Sequence, residues 1–142
     1  MITYADTSFL FSLYVPDANS FAAAAIMKRS KPPLLATDFA EFEFINALNG
    51  RIFRKEMRPS EEQAVLLSFT RDAHAGVIRI VPLSSASFAH ARRIARTHTR
   101  LFGTRALDVL HVASAVALRA GFFCTFDKNQ ARLASALNLR AP

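Results

Sequence analysis

The sequence predicts a three-layer α/β/α domain built on a central parallel sheet of four to five short strands. Three observations predict it. Short apolar runs recur at residues 2–5 (ITYA), 34–37 (LLAT), 77–83 (VIRIVPL) and 122–126 (FFCTF). Stretches of helical periodicity separate each run from the next, long enough for the right-handed crossovers that parallel strands require. An acid follows the first and last runs, at Asp6 and Asp127. In open parallel sheets, sites form outside the carboxyl ends of the strands.

The elements follow in chain order. The run at residues 2–5 reads as a buried central strand. Asp6-Thr7-Ser8 then offers capping side chains for the helical stretch FLFSLYV, so Asp6 reads either as an N-cap alone or as an acid at a strand-end site. Pro16-Asp17 ends that helix. A second helix covers residues 18–29 and closes on basic residues, which suit its C-terminus. Lys31-Pro32-Pro33 is a turn before the second strand. Asp38 is the expected cap of a helix over residues 39–55, which carries two acids. Glu43 shares a face with Asn46, Ala47 and Gly50, a polar and small-residue stripe fit to line a cleft. Glu41 aligns with Ile45 and Leu48 in a packing stripe. Glu43 is therefore the preferred acid of the two.

Pro59 and the acids Glu61 and Glu62 open another helix, which runs to about Ala75 and stops at Gly76. After the third strand, Ser84 or Ser85 caps a helix to about Thr99. Its expected buried side is Phe88, Ala91, Ile94 and Ala95; Arg92, Arg93 and Arg96 face solvent. Thr104 is the expected cap of the next helix, which holds Asp108 in its first turn and is otherwise almost wholly apolar. The fourth strand follows. Asp127 and Asn129 then begin a last helix to about Leu137, and residues 138–140 can add an edge strand.

Composition narrows the function. The 142 residues suit one domain spanning 1–142, and 51% hydrophobic against 20% charged residues marks an ordered globular chain. No apolar run is long enough to cross a bilayer. The N-terminus lacks a signal-peptide pattern. Cys124 has no partner for an internal disulfide, which points to a reducing, cytoplasmic compartment and a small buried hydrophobe. Lys and Arg number 18 against 11 acids, a net charge of +7, with arginine concentrated in residues 92–105. Such an excess attracts polyanions, nucleic acid foremost.

Several chemistries are excluded. There is no phosphate-binding G-x-x-x-x-G-K-[ST] loop and no glycine-rich dinucleotide turn. A single cysteine rules out thiolate zinc sites, no H-E-x-x-H is present, and no serine sits in a G-x-S-x-G elbow. His111, one turn after Asp108, reads as a core-edge histidine among apolar neighbours. The remaining inventory is oxygen: acids at strand ends and helix starts. Hard divalent cations take such ligands, and acid clusters of this kind suit phosphodiester hydrolysis.

Four segments, in this order, resemble the PIN-domain family, and more narrowly its VapC-type toxin ribonucleases: YADTSFLFSLY, EFEFINAL, RALDVLHVASAVA and FFCTFDKNQ. The resemblance implies metal-binding and catalytic roles for Asp6, Glu43, Asp108 and Asp127. It implies that Thr7 or Ser8 helps orient ligands, and that Thr104 and Thr125 lie beside the site. It implies an endoribonuclease dependent on Mg²⁺ or Mn²⁺ that inhibits translation as the toxin of a type II toxin–antitoxin pair. The implied partners are an RNA substrate, a VapB-like antitoxin and a second copy of the chain. Arg100, Arg105 and Lys128 are candidate phosphate contacts by proximity in sequence. The rival readings are a non-catalytic RNA- or protein-binding module, a PIN nuclease acting on DNA or in RNA processing, and an unrelated α/β metal-dependent phosphatase, against which Ser8, in place of an Asp two residues after Asp6, counts.

Overall fold

The computed structural model describes all residues, 1–142. Four strands form one parallel sheet in the order β3-β2-β1-β4: β1 Thr3–Ala5, β2 Leu34–Thr37, β3 Ile78–Val81 and β4 Phe122–Cys124. The expected fifth strand is reduced to one bridge between Phe122 and Arg140. The chain steps outward from β1 to β2 to β3, then returns across the sheet to place β4 on the other side of β1. The strand order thus switches direction between β1 and β4, where an open sheet leaves a crevice at its carboxyl end.

Helices α1 (Thr7–Tyr14), α2 (Ser20–Arg29), α3 (Asp38–Phe53) and α4 (Pro59–His74) lie between β1 and β3 in the chain. They bury Phe9, Leu10, Ala23, Phe44, Leu48 and Phe69 against Ala5, Ala36, Ile78 and Cys124 of the sheet. Helices α5 (Ser85–Ile94), α7 (Ala106–Ala117) and α8 (Lys128–Ala136) cover the opposite face. There they bury Ile94, Val109, Val112, Ala113 and Leu133 against Tyr4 and Phe123. Neighbouring residues of a strand point to opposite faces. Tyr4 and Phe123 are register partners and stack at 5.6 Å, while Ala5 and Cys124 supply the other core. Burial lifts the Cys124 thiol to about 12, as suits a packed hydrophobe. No helix is long and apolar enough to cross a membrane.

The structure revises four local expectations. Thr37, not Asp38, caps α3 by accepting from the Ala40 amide at 3.2 Å; the Asp38 carboxylate instead takes the Phe39 and Leu83 amides. The helix from Ser85 does not run unbroken to Thr99. Its α-helical part ends at Ile94, and a π-helical turn (Ala95–Thr99) and a short α6 (Arg100–Phe102) follow, closed by left-handed Gly103 at φ 61°. The turn brings the Thr97 hydroxyl onto the Arg93 and Ile94 carbonyls. On α5 and this turn, Ile94 is buried as expected, but Phe88 and Ala95 are exposed because α7 covers only part of that surface. Arg105 takes the N-cap position of α7 without a side-chain bond, while Thr104 is buried and shares a 3.2 Å hydrogen bond with Thr99.

Candidate metal centre

Asp6 directly follows β1, and Asp127 lies three residues beyond the end of the adjacent strand β4. Each caps the next helix. Asp6 Oδ1 accepts from the Phe9 amide at 2.9 Å, and Asp127 Oδ1 from the Gln130 amide at 2.9 Å. A carboxylate at a helix N-terminus satisfies an orphan amide and meets the positive end of the helix dipole. Parallel pairing of β1 with β4 brings the two caps to one edge of the crevice.

Hydroxyls tie these caps together. Thr125 donates to Asp6 Oδ2 at 2.5 Å and accepts from the Asp127 amide at 2.9 Å. Ser8 donates to Asp6 at 2.8 Å and accepts from the Phe126 amide at 3.0 Å. Gln130 extends the chain, because its Nε2 donates to Asp108 Oδ1 at 3.3 Å while its amide serves Asp127. Asp6, Thr125, Asp127, Gln130 and Asp108 are thus linked in one hydrogen-bonded series. Glu43 enters from α3 in the other helix layer. Its Oε1 accepts from Thr7 at 2.7 Å and is bonded to Nε2 of His111.

The electrostatics follow from burial. Asp6 is wholly buried, and loss of hydration raises its pKa against the bonds from Thr125 and Phe9. Asp108 is also raised, first by burial and then by the charge of Asp127, with Arg105 opposing. Glu43 goes the other way. Burial pushes it up, but the bonds from His111 and Thr7 outweigh that and hold it below the usual carboxylate range. No three Asp, Glu, His or Cys side chains converge closely enough to ligate one ion together.

The remaining candidates sort by position. Thr7, Ser8 and Thr125 all bond to the acids. Thr104 bonds Thr99 and lines a groove with Phe88, Ala91, Leu107 and Leu110. Lys128, Arg100 and Arg105 are exposed. Glu41 lines a separate groove with Ile45, Leu66 and Phe69, whereas Glu43 bonds Thr7 and His111. Sequence reasoning missed Gln130 and misplaced His111, which lies inside the network rather than at a core edge. A signal for both was present: each is three residues after an acid, on the same helical face.

Solved structures share this fold. A Mycobacterium tuberculosis structure described as VapC20, a sarcin–ricin loop cleaving toxin, is similar with a TM-score of 0.72 at 16% identity, covering 99% of this chain and 98% of that one. FitAcB from Neisseria gonorrhoeae is similar with a TM-score of 0.67 at 14% identity, covering 94% of each chain. A toxin–antitoxin complex from Klebsiella pneumoniae is similar with a TM-score of 0.62 at 14% identity, covering 88% of this chain and 86% of that one. No curated protein sequence matches significantly. The family model of the PIN domain matches residues 3–136. With the parallel sheet, that match over almost the whole chain shows that the protein belongs to the PIN-domain family.

Proposed function

We propose that this PIN domain is a metal-dependent endoribonuclease, acting as the toxin of a toxin–antitoxin pair. The observation that carries the reading is the linked series of Asp6, Thr125, Asp127, Gln130 and Asp108 at the switch point, with Glu43 facing it from the other layer.

The donor set fits a hydrated Mg²⁺ or Mn²⁺ ion. Every side chain offered is an oxygen donor, as hard cations require. Magnesium keeps several waters and commonly uses only one or two carboxylates directly, so it does not require three acids converging on one point. Gln130 Oε1 is buried without a hydrogen-bond partner, an acceptor still available at the crevice. The raised pKa values of Asp6 and Asp108 express a repulsion and desolvation that a cation relieves. Asp6, Asp108 and Asp127 would hold the ion, directly or through water, with Glu43 beside it. When bound, such an ion acidifies an attacking water and stabilises charge on the leaving oxygen of a phosphodiester.

The chain's own residues do the rest. Glu43, held ionised, orients the attacking water or accepts its proton at Oε2. Thr7, Ser8 and Thr125 fix the acids so that their geometry costs nothing when substrate arrives. Arg105, whose charge already acts on Asp108, Arg100 and Lys128 draw the phosphate backbone toward an otherwise acidic crevice. The Klebsiella neighbour is described as a toxin–antitoxin complex, which supports an antitoxin as protein partner. A homodimer is proposed with it.

The test is cleavage of total cellular RNA by the purified, antitoxin-free protein in Mg²⁺, Mn²⁺ or EDTA, with Asp108→Asn alongside. Discrete fragments that require metal and vanish in the variant are expected. A folded protein that cuts with neither metal would reduce the domain to a binding module.

A further inference from the structure

His111 lies on α7, in one helix layer; Glu43 lies on α3, in the other. The two side chains meet over the carboxyl end of the sheet, where Nε2 of His111 bonds Oε1 of Glu43. The imidazole is 1% exposed. Its other nitrogen, Nδ1, is 3.0 Å from the Tyr4 hydroxyl, which reaches up from the central strand. That hydroxyl is also 3.3 Å from Thr37 Oγ1, the cap of the helix bearing Glu43. Phe39 packs on the imidazole at 5.1 Å between centroids.

The proton inventory is constrained. An ionised carboxylate only accepts, so Nε2 carries a proton and donates it to Glu43. Thr7 donates to the same Oε1, and Oε2 takes no hydrogen bond from the protein. One oxygen of Glu43 is therefore held from two sides, and the other is left without a partner in the protein.

We propose that His111 is a positioning residue for Glu43. Braced by Tyr4, it clamps Oε1 and presents Oε2 to the acid-lined crevice. It does not touch substrate. Its function is to span the two helix layers, so that the acid from α3 keeps a fixed place relative to the acids of β1, β4 and α7. This rests on the nuclease reading for its catalytic consequence and on geometry alone for the clamp. Groups that support an active-site acid in this way typically contribute roughly 10- to 100-fold to metal affinity or activity.

Two measurements test it. In the metal-free protein, long-range ¹H–¹⁵N spectra of the histidines should show His111 with a slowly exchanging Nε2 proton. That signal should shift in Glu43→Gln and in Tyr4→Phe. An unprotonated Nε2, or a signal blind to both substitutions, overturns the clamp whether or not the protein cuts RNA. Kinetics and Mn²⁺ binding then compare His111→Leu, His111→Gln, Glu43→Gln and the Glu43→Gln/His111→Leu double variant, each shown to be folded by its Tm. His111→Leu should lose about 10- to 100-fold, in the same parameter that Glu43→Gln reduces. His111→Gln, whose amide can still donate, should recover most of it. The double variant should be no worse than Glu43→Gln alone. Equal loss in the Leu and Gln variants, or losses that multiply in the double variant, overturn the proposal. A wild-type protein that neither cuts RNA nor binds Mn²⁺ removes the nuclease reading but leaves the spectral result to decide the clamp.

Discussion

The Thr125 hydroxyl donates to Asp6 Oδ2 at 2.5 Å, joining residues 119 positions apart in the chain. Thr125 follows β4 and Asp6 follows β1, so the bond exists only because those strands are neighbours. Removing this donor from a buried carboxylate should be costly. Thr125→Val, nearly isosteric, leaves both Asp6 and the Asp127 amide short of a partner. Urea unfolding at neutral pH should show a loss on the order of 1–3 kcal/mol. Thr125→Ser should keep most of the stability. Equal stability of the Val variant and wild type would contradict the linkage.

Neutralising the acids should separate activity from folding. Asp6→Asn and Asp108→Asn are expected to reduce cleavage at least 100-fold, since metal-site charge stabilisation contributes several kcal/mol to such reactions, of which about 1.4 kcal/mol is tenfold. Without metal, Asp108→Asn should raise the Tm slightly, because it removes a carboxylate that burial and Asp127 both disfavour. Metal-dependent cleavage at wild-type rate in either variant would refute the site.

The stability of the metal-free protein should depend on pH with a particular sign. Burial raises Asp6 above 3.8, so the folded chain takes up this proton at a higher pH than the unfolded chain does. The stability so contributed is fully present below the unfolded-chain pKa and is lost as pH climbs through the raised folded value. Glu43 opposes it at lower pH. Its folded pKa is below 4.5, so its contribution is present above that value and is lost as pH falls through the depressed one. In EDTA, urea unfolding should therefore show an Asp6-linked fall in stability as pH rises through the raised value, and Asp6→Asn should remove that component. Identical pH profiles for the two proteins would defeat the argument.

Divalent cation should reverse this trend. An ion that binds only the folded state at 100 times its Kd stabilises by about 2.7 kcal/mol. Mg²⁺ or Mn²⁺ should raise the Tm at neutral pH, EDTA should cancel the rise, and the effect should shrink on acidification as protons compete for the same oxygens. Thermal scans of wild type and Asp6→Asn across metal concentration test this, with loss of the response expected in the variant.

The ring cluster away from the crevice should govern stability without touching chemistry. Phe69 is buried against Phe44 at 5.4 Å and Tyr14 at 5.5 Å. Phe69→Ala should cost about 3–5 kcal/mol. Cleavage per folded molecule should be unchanged, measured well below the Tm.

Much of the fold was legible because it is written locally. The strands at residues 2–5 and 34–37 are short apolar runs, and both are fully buried apart from Ile2. Asp6 and Asp127 were legible as caps because capping is decided within three residues. Local patterns failed where a neighbour intervened. Thr37 displaced Asp38 as a cap because the Leu83 amide, from a different part of the chain, engages Asp38. Phe88 looked buried by periodicity, yet the face it occupies is left open.

The alternation of strand and helix, the acid at each critical strand end and the excess of positive charge are all readable from the amino-acid order. These follow from periodicity, capping chemistry and composition, which need no knowledge of distant residues. The hydrogen bonds that link Asp6 to Thr125 and Gln130 to Asp108, and that join Glu43 to Thr7 and His111, depend on tertiary structure alone. The physical reason is strand order. Placing β4 beside β1 brings hydroxyls, amides and carboxylates from the two ends of the chain within hydrogen-bond range, and no local pattern encodes that adjacency.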